Sequence, residues 1–303
     1  MRSRRDALLL LHLTVFIWGF TGILGKLIQQ GTLHLVYTRT VIAMAGLALG
    51  ALLLRRTLSP RTPELKQYVL TSLIILAHWI TFYGAIKIST ASIAAACLST
   101  STVFTALLEP FWFKRSIRAY EVVLGIVVVG ALLLIFGLES GHRTGIVVGT
   151  LSALFSAWFN IINARLVQRD DALRISFYEM LGVSVVLGAY LFVTNDLPPP
   201  LWELPASDIL WHLLLGLVCT SFTFVTGIIV MRQLTPFTVM LTVNLEPIYT
   251  ILVALLIWGS EEKLRTGSYI GIALILACLF ANGWFLRRKP ASEVIEPEPL
   301  TQG

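Results

Sequence analysis

Hydroxyl, amide and acidic side chains recur every four residues along three apolar stretches, a spacing that aligns each set on one face of a helix. The rows are Thr238, Thr242, Glu246 and Thr250; Cys97, Ser101, Thr105 and Glu109; and Ser152, Ser156 and Asn160, with Asn163 beside the last. Such rows either line a polar cavity or bind helix to helix, because lipid offers them no hydrogen bond. Glu246 carries the most chemistry. It lies about 11 residues into a 23-residue apolar run, and Pro247 after it removes the hydrogen bond to the Val243 carbonyl. A carboxyl that can bind a cationic group or hold a proton, beside a freed carbonyl and the amide of Asn244, forms a binding constellation. The competing use is a structural kink.

His78 lies mid-run in another apolar stretch, and its unperturbed pKa of ~6.5 suits a switch near neutral pH. Trp18, Trp79 and Tyr83 are the aromatic groups that can wall a cavity. Arg39 could bind an anionic group, but a guanidinium near the end of a run is expected to snorkel to lipid headgroups. Glu109 is expected near one membrane surface, paired with Lys114 and Arg115. The residues expected to bind substrate are therefore Glu246, Asn244, Thr242, Ser101, Thr105, His78, Tyr83, Trp18 and Asn160.

The elements holding these residues follow from composition. Of 303 residues, 56% are apolar and 13% charged, against ~45–50% and ~25% in soluble domains. Mean hydropathy is +0.80. This excludes disorder and a soluble globular domain. The net charge of +6 sits in short clusters between apolar runs, as in membrane-protein loops, so no nucleic-acid partner is expected. Ten runs approach the ~20 residues a spanning helix needs: 7–28, 35–54, 68–88, 91–113, 119–138, 145–166, 174–195, 208–232, 236–258 and 267–286. They do not alternate as barrel strands would. The first run is too long for a signal-peptide core and is expected to stay.

With the N-terminus inside, 17 of the 23 Lys and Arg fall in inside segments, the other six being Lys26, Arg39, Lys87, Arg143, Lys263 and Arg265. The split predicts a multi-pass protein of the plasma (inner) membrane with both termini cytoplasmic.

The two halves repeat. "GKLIQQ" at 25–30 matches "ARLVQR" at 164–169, and "YGAIKIST" at 83–90 matches "IIVMRQLT" at 228–235, with Lys87 on Arg232. An offset of 145 also sets Cys97 on Thr242, Ser101 on Glu246 and Thr105 on Thr250. Five spans per half is an odd number, which inserts the second half upside down. Inverted repeats with a mid-membrane site are a transporter architecture. The expected fold is all-α, with repeats at 1–143 and 144–288 and a flexible cytoplasmic tail at 289–303.

The strings "FIWGFTGILGKL" at 16–27, "AIKISTASIAAACLSTSTVFTALL" at 85–108 and "MRQLTPFTVMLTVNLEPIYTILVALLIWGSEEKL" at 231–264 resemble the EamA-type permeases of the drug/metabolite transporter superfamily. "GSEEKL" at 259–264 stands for that family's Gly-Glu pair, whereas "FKRSI" at 113–117 lacks the acid. The resemblance implies movement of small metabolites across a membrane.

No GxxxxGK[ST] or HExxH motif is present, the five histidines are scattered, and Cys97, Cys219 and Cys278 have no metal-ligand spacing. No enzyme activity, metal or cofactor is expected. Few charges are placed to hold a polyanion, so the expected substrates are neutral or zwitterionic metabolites such as amino acids. The expected activity is secondary transport, as an exporter, by alternating access with proton coupling as an option. The alternative is a non-transporting structural or receptor protein. The pairs Gly46/Gly50, Gly145/Gly149 and Gly267/Gly271 permit close helix packing, within one chain or in a homodimer.

Overall fold

The structure is a computed structural model describing residues 4–113, 140–234 and 236–287, with isolated positions between 123 and 137. The expected span 119–138 falls mostly outside the described residues, as do Lys114, Arg115 and the tail 289–303.

The described chain is all helical: α1 (Arg4–Trp18), α2 (Thr21–Leu27), α3 (Thr32–Leu53), α4 (Leu65–Ile88), α5 (Ala91–Leu98), α6 (Ser101–Trp112), α7 (Arg143–Leu166), α8 (Ala172–Val193), α9 (Ala206–Leu213), a π-helical segment (Leu214–Phe222), α10 (Thr223–Val230), α11 (Pro236–Val243), α12 (Leu245–Trp258) and α13 (Thr266–Arg287). Among the described residues, seven helical stretches are long and apolar enough to cross a membrane, and shorter apolar helices accompany them. Leu52, Phe192 and Leu256 are more than 70% exposed, as lipid-facing residues must be.

Three of the expected runs are interrupted, each where a side chain competes for the backbone. The first breaks at Gly19 and Phe20, and Thr21 Oγ1 donates to the Trp18 carbonyl at 2.8 Å. The fourth breaks at Ser99 and Thr100, where Thr100 Oγ1 donates to the Cys97 carbonyl at 2.7 Å. The ninth breaks at Asn244, whose Nδ2 donates to the Met240 carbonyl at 2.8 Å. Hydroxyl and amide groups that bond nearby carbonyls compete with helix continuation. Ser99 and Asn244 are equivalent under the 145-residue offset, so both polar rows break at the same place. Pro247 prepares the second break, since its ring nitrogen leaves the Val243 carbonyl without its helical donor. Pro110, by contrast, lies inside α6 without ending it.

Other details also recur. α3 and α8 both end on a left-handed residue, Arg55 at φ 51° and Asn195 at φ 54°. Behind each, an N–H reaches back five residues, from Arg56 to the Ala51 carbonyl and from Asp196 to the Leu191 carbonyl, both at 2.8 Å. This is a Schellman end. The packing exchanges between halves as well. α4 lies on α7 as α10 lies on α1, and α4 lies on α8 as the π segment lies on α3. α5 packs on α12, and α6 on α11. Small residues allow the close approach: a Cβ on Gly46 would meet Ser221 Oγ at 2.8 Å, and one on Gly149 would meet Cys97 Cβ at 3.0 Å.

Candidate functional site

The break between α11 and α12 ends one helix and starts another inside the bundle. Glu246 falls in the first turn of α12, where the helix dipole favours negative charge. It lines a cavity together with Trp18, Thr21, Arg39, His78, Trp79, Phe82, Leu98, Ser156, Phe159, Asn160, Phe224 and Val243. The wall thus draws on both halves of the chain. It combines one carboxyl, one guanidinium, one imidazole, one amide, two hydroxyls and five aromatic rings.

Arg39 overturns the snorkelling expectation. It is 2% exposed. Its Nε donates to Thr220 Oγ1 at 2.7 Å and its Nη1 to the Tyr83 hydroxyl at 2.5 Å, while Nη2 lies 3.5 Å from the Cys219 carbonyl. The guanidinium stacks over Trp79, 4.1 Å from the ring centroid. A buried cation needs such partners. The wider turn of the π segment supplies two of them, Thr220 and the Cys219 carbonyl, and π turns occur often at functional sites. Five guanidinium N–H groups less these bonds leave donors for a ligand. Glu246 is 7% exposed, and its electrostatic neighbours are Arg39 and Thr21. The cavity therefore sets an acidic and a basic side chain on the same lining.

Of the nine residues expected to bind substrate, Trp18, His78, Asn160 and Glu246 lie on the cavity wall. Tyr83 sits behind Arg39 as its hydrogen-bond partner. Ser101, Thr105, Thr242 and Asn244 lie off the cavity. Thr105 and Thr242 return their hydroxyls to their own helices, on the Ser101 and Thr238 carbonyls. Asn244 bonds Thr102 across to α6. Thr250 donates to the Gly19 carbonyl at 2.8 Å, taking up an acceptor freed by the break in the first run. The rows ending at Glu109 and Thr250 act largely as ties between broken helices and reach the cavity through Glu246, whereas the third row brings Ser156 and Asn160 onto its wall. His78 is buried between Phe82 and Phe159, and its Nδ1–H donates to the Ser152 carbonyl at 2.9 Å. Glu109 is buried, and its expected partners Lys114 and Arg115 lie outside the described residues.

Basic side chains bond helix-end carbonyls at two ends of the bundle. At one end Lys87 Nζ donates to the Ile28 carbonyl at 2.5 Å. At the other Arg232 donates to the Val167 carbonyl at 3.3 Å and the Asp170 carbonyl at 2.9 Å. Lys87 matches Arg232, and Ile28 matches Val167, in the sequence repeat, so one closure is built twice. The Lys87 end carries a further tie. Lys26 Nζ lies 2.9 Å from Glu262 Oε1, and Glu262 Oε2 accepts the Ser92 N–H at 2.9 Å.

Burial alone would push the Glu262 carboxyl up. Lys26 and Ser92 outweigh burial and hold it below the usual carboxylate range. Its stabilising effect is complete above the unfolded value of ~4.3 and is lost as pH falls through the lower folded value. The melting temperature of Glu262→Gln in detergent is therefore expected below that of the parent at neutral pH, with the gap closing as pH falls below ~4.3. A gap that stays constant with pH would show that the carboxylate charge contributes nothing.

The chain matches the EamA-like transporter family over residues 6–137 and 143–283. It is 24% identical to the "Uncharacterized transporter YoaV" of Bacillus subtilis (strain 168) over 289 residues, covering 90% of this chain and 95% of the relative. A solved crystal structure superposes with a TM-score of 0.70 at 15% identity, over 94% of this chain and 99% of its own, and that likeness shows the fold alone. Two matched segments spanning nearly the whole chain, on a helical membrane architecture, place this protein in the EamA-like transporter family.

Proposed function

We propose that this protein is a secondary transporter that exports small zwitterionic metabolites, amino acids with apolar side chains among them, across the plasma (inner) membrane. Its architecture is read as two inverted five-helix repeats with both termini cytoplasmic. The exchange of helix contacts between halves, the matched breaks at Ser99 and Asn244 and the duplicated closures support that reading. In such an arrangement one closure opens while the other stays shut.

The observation that carries the substrate class is the placement of Arg39 and Glu246 on one aromatic wall. A carboxylate pairs with the guanidinium in charge-assisted hydrogen bonds. An ammonium pairs with Glu246 and with the aromatic faces. Trp18, Phe82, Phe159 and Phe224 offer apolar surface to a side chain. A dicarboxylate or a phosphate ester would bring negative charge that Glu246 repels.

The test is counterflow of labelled leucine in proteoliposomes, competed with leucine, its methyl ester and its 2-oxo acid. The zwitterion is expected to compete, and the ester and the oxo acid, each lacking one charge, to fail. Equal competition by all three would remove dual-charge recognition. Absence of counterflow with every amino acid tried would remove the substrate class. A cysteine at Ser207 labelled from outside and one at Arg61 labelled only after permeabilisation would match the orientation.

A further inference from the structure

The bundle buries a second carboxyl away from the cavity. Glu179, in the third turn of α8, is 0% exposed. Neither of its carboxyl oxygens has a hydrogen-bond partner among the described residues. Asn163 of α7 and Thr71 of α4 adjoin it, and both are buried. The Thr71 hydroxyl is already committed to the Gln67 and Tyr68 carbonyls, at 2.8 and 3.1 Å. Asn163 Oδ1 also lacks a donor. Asn163 Oδ1 is thus an acceptor without a donor beside a carboxyl that the Asn163 and Thr71 side chains adjoin, and a proton on the carboxyl would supply that donor. Ser176, one turn nearer the Ala172 end, has an orphaned buried hydroxyl as well. One turn on, α8 and α4 pack closely: a Cβ on Gly182 would lie 2.2 Å from Ser72 Oγ.

Among the described residues no cation compensates Glu179. α8 packs against α3, α4 and α10. α10 has no titratable group. On α3, Arg39 is bonded to Tyr83 and Thr220, Tyr37 packs at Gly188, and His34 pairs with Asp196. On α4, Tyr68 bonds Asp170, His78 bonds Ser152, Tyr83 bonds Arg39, and Lys66 and Lys87 are exposed. None of these acts on Glu179. An uncompensated carboxylate in a dry helix bundle is strongly disfavoured.

We propose that Glu179 and Asn163 form a proton-binding site separate from the central cavity, in which the carboxyl O–H donates to Asn163 Oδ1 and ties α8 to α7. Release sends the proton to water and leaves a charge that α8 can carry only by shifting or hydrating. Binding of the proton stands apart from the substrate reading, whereas its coupling to solute flux rests on that reading.

The first measurement therefore needs no substrate. Infrared difference spectra of the reconstituted protein between acid and alkaline pH are expected to show a protonated-carboxyl band that Glu179→Gln removes and Glu246→Gln retains. Asn163→Ala, which keeps the carboxyl, should shift the frequency of that band. In transport, Glu179→Gln should keep counterflow within about twofold and flatten the pH dependence of gradient-driven flux by about tenfold or more, the ratio that ~1.4 kcal/mol of lost coupling represents. A difference spectrum unchanged in Glu179→Gln, a band unmoved in Asn163→Ala, or a response to sodium at fixed pH in place of protons would overturn the proposal. Loss of amino acid counterflow in the parent, with the band intact, would remove the substrate reading and leave this site standing.

Discussion

Glu246→Gln is expected to lower zwitterion exchange by about 10- to 100-fold with the protein folded, since a hydrogen bond to a charged group contributes ~1.5–3 kcal/mol. Glutamine keeps the shape and one acceptor, so the first turn of α12 should survive. Arg39→Gln should lose as much transport and also destabilise the bundle. Removing one partner of a buried charged network leaves the others unpaired at a cost of about 3–5 kcal/mol; here Thr220, Tyr83 and the Trp79 face lose their cation. The charges also depend on one another through a shared ligand. The double variant Arg39→Gln/Glu246→Gln should therefore lose less than the product of the two single losses, because a ligand bound at one end only gains little from the other. Leucine flux measured with each variant, normalised to protein that elutes as a single species, checks this. Normal transport in both Glu246→Gln and Glu246→Ala would take Glu246 out of the site.

Much of this arrangement could be read from residue types and spacing. Apolar run lengths gave nine helical regions that the described residues contain, and the four-residue period singled out Glu246. A proline after a mid-span carboxyl was sufficient signal for an interruption near residue 244. The sequence did not reveal the breaks at Gly19 and at Ser99, because no proline marks them. There the competition comes from Thr21 and Thr100, hydroxyl residues that are also common in unbroken membrane helices. Arg39 was misread for a related reason. Its distance from the helix end fits snorkelling, and what buries it is a π turn about 180 residues away that no periodicity announces. The polar rows were legible as rows, but a row does not say what it faces. Thr105 and Thr242 bond their own helices and Asn244 bonds Thr102, so a face that looked like a cavity wall proved to be a seam between helices. Glu179 was passed over because it stands alone, outside any four-residue pattern, and its significance lies in partners it lacks.

Lys87→Ala and Arg232→Ala are expected to shift access to the cavity in opposite directions. Each basic side chain bonds the last carbonyls of a helix from the partner position of the repeat, Lys87 on Ile28 and Arg232 on Val167 and Asp170. Helix C-terminal carbonyls carry partial negative charge, so a cation there holds the end shut electrostatically as well as by geometry. Both sets of bonds are formed in this structure. Removing one charge-assisted bond, ~1.5–3 kcal/mol, changes the ratio of the two open states by about 10- to 100-fold. The reporter is Ser156→Cys on the cavity wall, in a background with Cys97, Cys219 and Cys278 replaced. A membrane-impermeant thiol reagent is applied to right-side-out and to inverted vesicles. Lys87→Ala should raise labelling from the side of the Lys87 end, outside in the proposed orientation, and lower it from the other. Arg232→Ala should do the reverse. The double variant should return to the parent ratio, since two equal weakenings leave the balance between the open states where it began. Labelling that rises from both sides in each single variant would mean that the residues only stabilise the fold, and the duplicated closure would then have no part in alternating access.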